Sequence, residues 1–186
     1  MEITLLRHGE PEYQLSGRAK AEEISDVVKS YDLSGIRDGP SEEVMENVSN
    51  ICTVVCSDLR RSIESAKALG FKEIHHSNSM FREVAIPHFS SGEFSMSIHN
   101  WGVFLRVISS FGFSRNGESL SMARRRAKEA TSDLINIAQT DKSVMLVGHG
   151  FINYFIAKEL IKRKWVGPVN PGRKYWDYGT YKYSAT

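Results

Sequence analysis

The sequence predicts an α/β fold of three layers, α/β/α, built on a mostly parallel central sheet, with residues 1–186 forming a single domain. Two observations carry that expectation. Short apolar, partly β-branched runs stand at Ile3–Leu6, Cys52–Val55 and Val144–Val147, and each gives way to polar residues and then to helix-like sequence. Buried strands alternating with helices make βα units, whose parallel strands need covering on both faces. The chain of 186 residues is also long enough to bury a core without disulfides or a structural metal, and 41% hydrophobic with 25% charged residues is a globular balance.

Taken in order, the first strand leads to a helix over Ala19 to Ser30, the second to Leu59–Leu69 and the third to Phe151–Lys162. A further helix is expected from Ser119 to Gln139, with Met122, Ala123, Ala127, Ala130, Leu134, Ile137 and Ala138 at helical spacing, and Gly117 closing the element before it. Ile74-His75-His76 reads as a short strand and Ile98–Ile108 as a helix within a small helical lid insertion. The aromatic tail Lys174–Tyr183 alternates like one or two edge strands interrupted near Gly179. Such an edge is compatible with pairing across a homodimer.

Cys52 and Cys56 are the two cysteines. Four apart on a strand, their alpha carbons would lie roughly 13 Å apart at ~3.3 Å per residue, beyond disulfide reach. Both are expected to be buried free thiols. Nothing early resembles a signal peptide and no run approaches transmembrane length, so the expectation is a soluble cytoplasmic protein without a membrane partner. A net charge of +2 suits a small anionic substrate and falls short of the field nucleic acid requires. The run Arg124-Arg125-Arg126 points around a helix and reads as an exposed face, and His75-His76 point to opposite faces of a strand, which disfavours shared metal ligation.

In an open α/β sheet, ligands bind beyond the carboxyl ends of the strands. Those ends here deliver Arg7-His8-Gly9-Glu10, Ser57-Asp58-Leu59-Arg60-Arg61 and Gly148-His149-Gly150. Two histidines and at least two arginines on one edge repel each other unless an anion lies between them, and guanidinium forks match phosphoryl oxygens. A histidine in such a cluster serves as base, nucleophile or metal ligand. No His-Glu-x-x-His or Cys-x-x-Cys spacing occurs, and neither a metal nor any other cofactor is expected.

Leu5-Leu6-Arg7-His8-Gly9-Glu10 resembles the signature of the histidine phosphatase superfamily, the phosphoglycerate mutase-like family. Ser57 to Ala66 is similar to its Ser-x-Leu-x-Arg-Ala-x-x-Thr-Ala segment, Gly117-Glu118-Ser119 to its Gly-Glu-Ser helix start, and Val147-Gly148-His149-Gly150 to its second histidine motif. The resemblance implies the phosphoglycerate mutase-like fold, with His8 as the nucleophile that is transiently phosphorylated. Arg7, Arg61 and a protonated His149 complete the phosphate pocket, Arg61 and not Arg60 fitting the register. Glu83 of Phe81-Arg82-Glu83 falls where members keep the carboxyl that protonates the leaving group. Gln14 falls in a stretch similar to Trp-Asn-x-x-Gly-Arg and would contact phosphate, with Arg18 following.

Pro11 stands where a small hydroxyl residue is usual, Gln14 replaces asparagine, and Ser62 and Ser65 replace Ala and Thr, which reads as mild. The chain is shorter than the family's sugar-phosphate mutases, which favours hydrolysis of a small phosphorylated substrate. A phosphomutase and a non-catalytic phosphate-binding module are the alternatives. The segment from Phe89 to Phe113, with Phe94, Met96, His99, Trp101 and Phe104, reads either as an apolar wall over the pocket or as the core of the insertion.

Overall fold

The protein is described from a computed structural model over residues 1–183. Its strands are β1 (Glu2–Arg7), β2 (Arg18–Lys20), β3 (Thr53–Cys56), β4 (His76–Ser77), β5 (Ser95–Ser97), β6 (Ser143–Gly148) and β7 (Tyr178–Lys182). Its helices are α1 (Ile24–Leu33), α2 (Glu42–Val48), α3 (Arg60–Ala68), α4 (Ile98–Ser110), α5 (Leu120–Asp141) and α6 (Gly150–Lys162). The main sheet runs β4-β3-β6-β1-β7, parallel except for β7, which lies antiparallel against β1 at the edge.

Strand alternation produces the three layers. Ile3 and Leu5 of β1 with Val144 and Leu146 of β6 face a core built with α5 and α6. Leu6, Met145 and Val147 face the opposite side, where Val48 of α2 and Ala66 of α3 close the second core. Along α5 the fully buried Ala123, Ala127, Ala130, Leu134 and Ala138 form a narrow seam that lets the helix pack closely, and the Ser119 hydroxyl caps its start by accepting from the Met122 amide. Deleting Leu134 to Ala at such a site costs about 2–5 kcal/mol.

A third, smaller core of Ala19, Ala21, Ile24, Trp101 and Leu105 holds β2, β5, α1 and α4 together. The segment expected to be a helix from Ala19 therefore begins as a strand, Ala19 pairing with Met96, and only becomes α-helical at Ile24. Trp101 Nε1 donates to the Ala19 carbonyl at 2.8 Å, fastening the two parts. Of the two readings of Phe89–Phe113, packing within the insertion accounts for Phe89, Trp101 and Phe113, whose rings contact one another.

Other expectations shift. Cys56 is buried, but Cys52 precedes β3 and is exposed. Met122 is half exposed. Gly179 does not interrupt the tail strand; it pairs with Leu5 inside β7, and the chain from Lys174 to Asp177 is a loop at the sheet end. Arg126 turns inward instead of joining an exposed face. Helix α2 has no counterpart in the sequence reading. Among the described residues, no helix is long and apolar enough to cross a membrane.

Candidate active site

The parallel pairing of β1 with β6 aligns Arg7 with Gly148, so the residues that follow, His8 and His149, leave the sheet side by side. The His8 amide donates to the Gly148 carbonyl at 3.1 Å, and the two rings sit edge to face with centroids 4.8 Å apart. His8 Nδ1 lies 2.7 Å from the Gly9 carbonyl oxygen. A carbonyl only accepts, so Nδ1 carries the hydrogen and the lone pair of the neutral ring belongs to Nε2. Burial, then the Arg61 charge, push the His8 pKa down to about 3, against the opposing Gly9 bond, with Arg7 adding to the depression. His8 is therefore uncharged at neutral pH.

His149 is fully buried, and its Nε2 lies 2.7 Å from Ser57 Oγ and 3.2 Å from Ser62 Oγ. Ser57 Oγ donates to Ser62 Oγ and so accepts from His149, which places the ring hydrogen on Nε2. His149 is neutral in this arrangement, where the resemblance implied a protonated ring. Burial first, then the neighbouring His8 and the charges of Arg61 and Arg7, hold its pKa well below the ordinary value. Ser62, read as a mild replacement, is part of what fixes the ring.

Arg61, on the first turn of α3, is almost fully buried; its guanidinium lies over the Tyr31 ring and donates to the Tyr31 carbonyl and to Asp32 Oδ1 at 2.9 and 3.1 Å. Arg7 stacks on Tyr175 and donates to the Arg173 carbonyl. Among the described residues, Arg7 Nε, Arg61 Nε and His149 Nδ1 are buried without hydrogen-bond partners. Unsatisfied buried N–H groups are costly, and the two guanidinium N–H groups beside His8 make a cradle suited to an anion, while His149 Nδ1 carries a lone pair in this arrangement.

Glu83 reaches the same place by another route. Its Oε1 accepts from the Val84, Phe151 and Ile152 amides at 2.9, 3.1 and 3.2 Å, and Oε2 from Phe151 at 3.1 Å. The Phe151 and Ile152 bonds are those a capping side chain makes at a helix start. His149 occupies the cap position of α6, but its side chain makes no cap hydrogen bond, so Glu83 caps the helix from outside. Arg126 steadies this loop, forking onto Glu118 and donating to the carbonyls of Met80, Arg82 and Glu83. The Gly117-Glu118-Ser119 segment thus supports the Glu83 loop through Arg126.

Arg7, Arg61 and Glu83 line a cavity of about 710 Å³ together with Leu15, Val28, Tyr31, Ile86, Phe151, Tyr154 and Tyr175, while His8 and His149 lie buried behind its wall. Arg82 lines it while bonded twice to Asp58, and Arg106 of α4 enters over the Phe151 ring. Gln14 is exposed on the loop before β2 and does not line this cavity; its neighbour Leu15 does. Arg18 is likewise turned away, donating to the Ser95 carbonyl.

The model of the histidine phosphatase superfamily (branch 1) matches residues 3–168. The chain belongs to that superfamily. No curated protein matches in sequence. Among solved structures, the histidine phosphatase chain is similar to the product of an open reading frame of Mycobacterium tuberculosis, with 16% identity and a TM-score of 0.65 over 98% of this chain and 91% of that one. It is similar to mycobacterial glucosyl-3-phosphoglycerate phosphatase at 19% identity, TM-score 0.62, covering 96% and 91%. A third similar structure is phosphoserine phosphatase from Entamoeba histolytica, at 19% identity and TM-score 0.55 over 87% and 80%. At such identities the likeness establishes the fold.

In this histidine phosphatase the Arg7-His8-Gly9 turn is braced by residues that sequence reasoning missed. A Cβ on Gly9 would stand 2.4 Å from the Trp176 ring and 2.7 Å from Asp38 Oδ1, so only glycine fits. Trp176 holds a left-handed backbone, φ 65°, and its Nε1 donates to Asp38 Oδ2 while Oδ1 accepts from the Glu10 amide. Ser65 Oγ accepts from the Gly9 amide and donates to the Arg61 carbonyl, tying the His8 turn to the helix that carries Arg61. Only the spacing Ser57, Ser62, Ser65 beside Arg61 offered a signal; Asp38 and Trp176 offered none.

Proposed function

We propose that the protein is a phosphatase that hydrolyses a small phosphomonoester through a phosphohistidine on His8, without a metal. The observation that carries this reading is the hydrogen bond from His8 Nδ1 to the Gly9 carbonyl, because it leaves Nε2 of an uncharged ring as the nucleophilic atom. In the first step the Nε2 lone pair forms the N–P bond as the ester P–O bond breaks. The departing oxygen takes a proton from Glu83 Oε2, the less engaged of its carboxyl oxygens. In the second, water attacks phosphorus, Glu83 takes back a proton, and the N–P pair returns to Nε2, releasing inorganic phosphate.

Arg7 and Arg61 stabilise charge on the equatorial oxygens, the main requirement when the transition state is loose. His149 joins them once the phosphoryl charge offsets the surrounding guanidinium groups, sharing a proton through Nδ1. The test is trapping in alkaline detergent after mixing with phosphoryl-labelled p-nitrophenyl phosphate. The wild type should carry base-stable, acid-labile label that His8→Ala lacks. An unlabelled wild type, or label that survives in His8→Ala, refutes the reading.

A further inference from the structure

We propose that the alcohol portion of the substrate carries a second anionic group, a carboxylate or a phosphate, and that Arg106 of the lid helix α4 binds it. This rests on the phosphomonoesterase reading and names the substrate class of the same site.

The argument begins with the arginines lining the cavity. Arg61 is paired with Asp32 and Arg82 with Asp58, and Arg7 belongs to the phosphoryl cradle. Arg173, the fifth arginine of the lining, is exposed at the rim, and Arg106 differs from all four. Its guanidinium sits 4 Å or less above the Phe151 ring, 3.7 Å from the centroid, yet among the described residues it has neither a carboxylate partner nor a hydrogen-bond acceptor. An aromatic face holds a guanidinium in place while leaving its edge donors free.

Its surroundings sharpen the point. Burial lowers the proton affinity of Arg106, while the nearby Glu83 and Tyr31 raise it, and Arg7 lowers it again. An arginine stays charged under such conditions, so a half-buried cation faces the cavity without a protein partner for its charge. The cavity is far larger than a phosphoryl group, and its volume of about 710 Å³ is that of a whole small-molecule site. Glu83 raises that proton affinity from a distance but makes no ion pair with Arg106, its oxygens accepting from backbone amides.

Arg106 comes from the insertion, whose core is separate from the two that hold the histidines. A residue placed there reads the leaving group and not the phosphoryl group. Asn170 and the exposed Arg173 complete the polar part of the rim.

The test uses equilibrium binding of phosphonates, which does not depend on turnover. Calorimetry compares butylphosphonate with 4-phosphonobutyrate and with butane-1,4-bisphosphonate on the full chain. The wild type should bind one or both anionic members about tenfold or more tightly than the neutral one, the gain expected of charge-assisted hydrogen bonds. The two arms distinguish carboxylate from phosphate. That ratio should fall close to one in Arg106→Gln and be partly retained in Arg106→Lys, which also guards against a folding defect. A wild-type ratio near one overturns the inference, as does a ratio that survives Arg106→Gln or is abolished instead by Arg173→Gln. Loss of the phosphoenzyme with an intact phosphonate ratio would instead overturn the phosphatase reading alone.

Discussion

Glu83 combines two tasks that a pair of substitutions separates. Its carboxyl caps α6 through the Phe151 and Ile152 amides, and it is the proposed proton carrier. Glu83→Ala leaves both amides without their acceptor and removes a negative charge from a helix N-terminus. The cap is worth about 1 kcal/mol and the charge about 0.3–1 kcal/mol. For a chain of this size, at about 2–4 °C per kcal/mol, the melting temperature should fall by about 3–8 °C. Glu83→Gln keeps an amide oxygen in the same place and loses only the charge contribution, so its melting temperature should fall by about 1–4 °C. Catalysis should order differently. Gln cannot deliver a proton, so both variants should lose about 10²–10⁴-fold in turnover of alkyl phosphates. With p-nitrophenyl phosphate, whose leaving group departs without protonation, the loss should be much smaller. Differential scanning fluorimetry and steady-state release of phosphate measure the two effects. Glu83→Gln turning over an alkyl phosphate at the wild-type rate would refute proton transfer and leave Glu83 a helix cap.

Acid sensitivity should follow from the two histidines. Their folded pKa values lie below the unfolded one, His8 at about 3 and His149 well under its ordinary value, so the unfolded chain binds more protons as pH falls below about 6.5. Stability present above that pH is lost on acidification, at up to about 1.4 kcal/mol per pH unit for each group. Urea melts at pH 6 and pH 5 should therefore differ by about 2 kcal/mol, and His8→Ala should remove about half of that difference; an unchanged slope would contradict the buried, neutral His8. Gly9→Ala should drive a methyl group into Trp176 and Asp38, lowering stability by about 1–3 kcal/mol and abolishing phosphoenzyme formation, whereas an active, stable Gly9→Ala would show that the turn is not held as described. Ser57→Ala removes the closer partner of His149 Nε2, and should cost about 1–3 kcal/mol and reduce turnover more than Ser62→Ala does.

The sheet was legible because its strands are buried on both faces and so read as unbroken apolar runs, as at Val144–Val147. Helices α3, α5 and α6 were legible through their apolar spacing. Strand β2 was not, because Ala19 owes its conformation to pairing with Met96, 77 positions away, and nothing local competes with the helical reading. Helix α2 buries only Val48 and so leaves no periodic stripe to find. In the site, His8, Arg7, Arg61 and His149 were legible as chemistry gathered at strand ends, and Glu83 joins them in space. Gln14 sits on an exposed loop and does not line the cavity, whereas Asn170 and Arg173 of the chain after α6 do.

The supporting residues were the least legible, for a physical reason. Ser57, Ser62 and Ser65 act through single hydroxyl hydrogen bonds across 92, 87 and 56 positions of sequence, and each alone looks like an ordinary buried serine. The same geometry divides the labour of the molecule. The proposed phosphoryl chemistry rests on turns anchored to the main sheet and its two cores, where a shifted backbone would disturb His8 and His149 together. The far wall is drawn from a separate small core through Leu105 and its neighbour Arg106, and from the chain after α6 through Arg173. On the proposed reading, substitutions on α4 should change which alcohol is accepted without moving His8, and substitutions along Gly9, Asp38 and Trp176 should disturb the His8 turn itself.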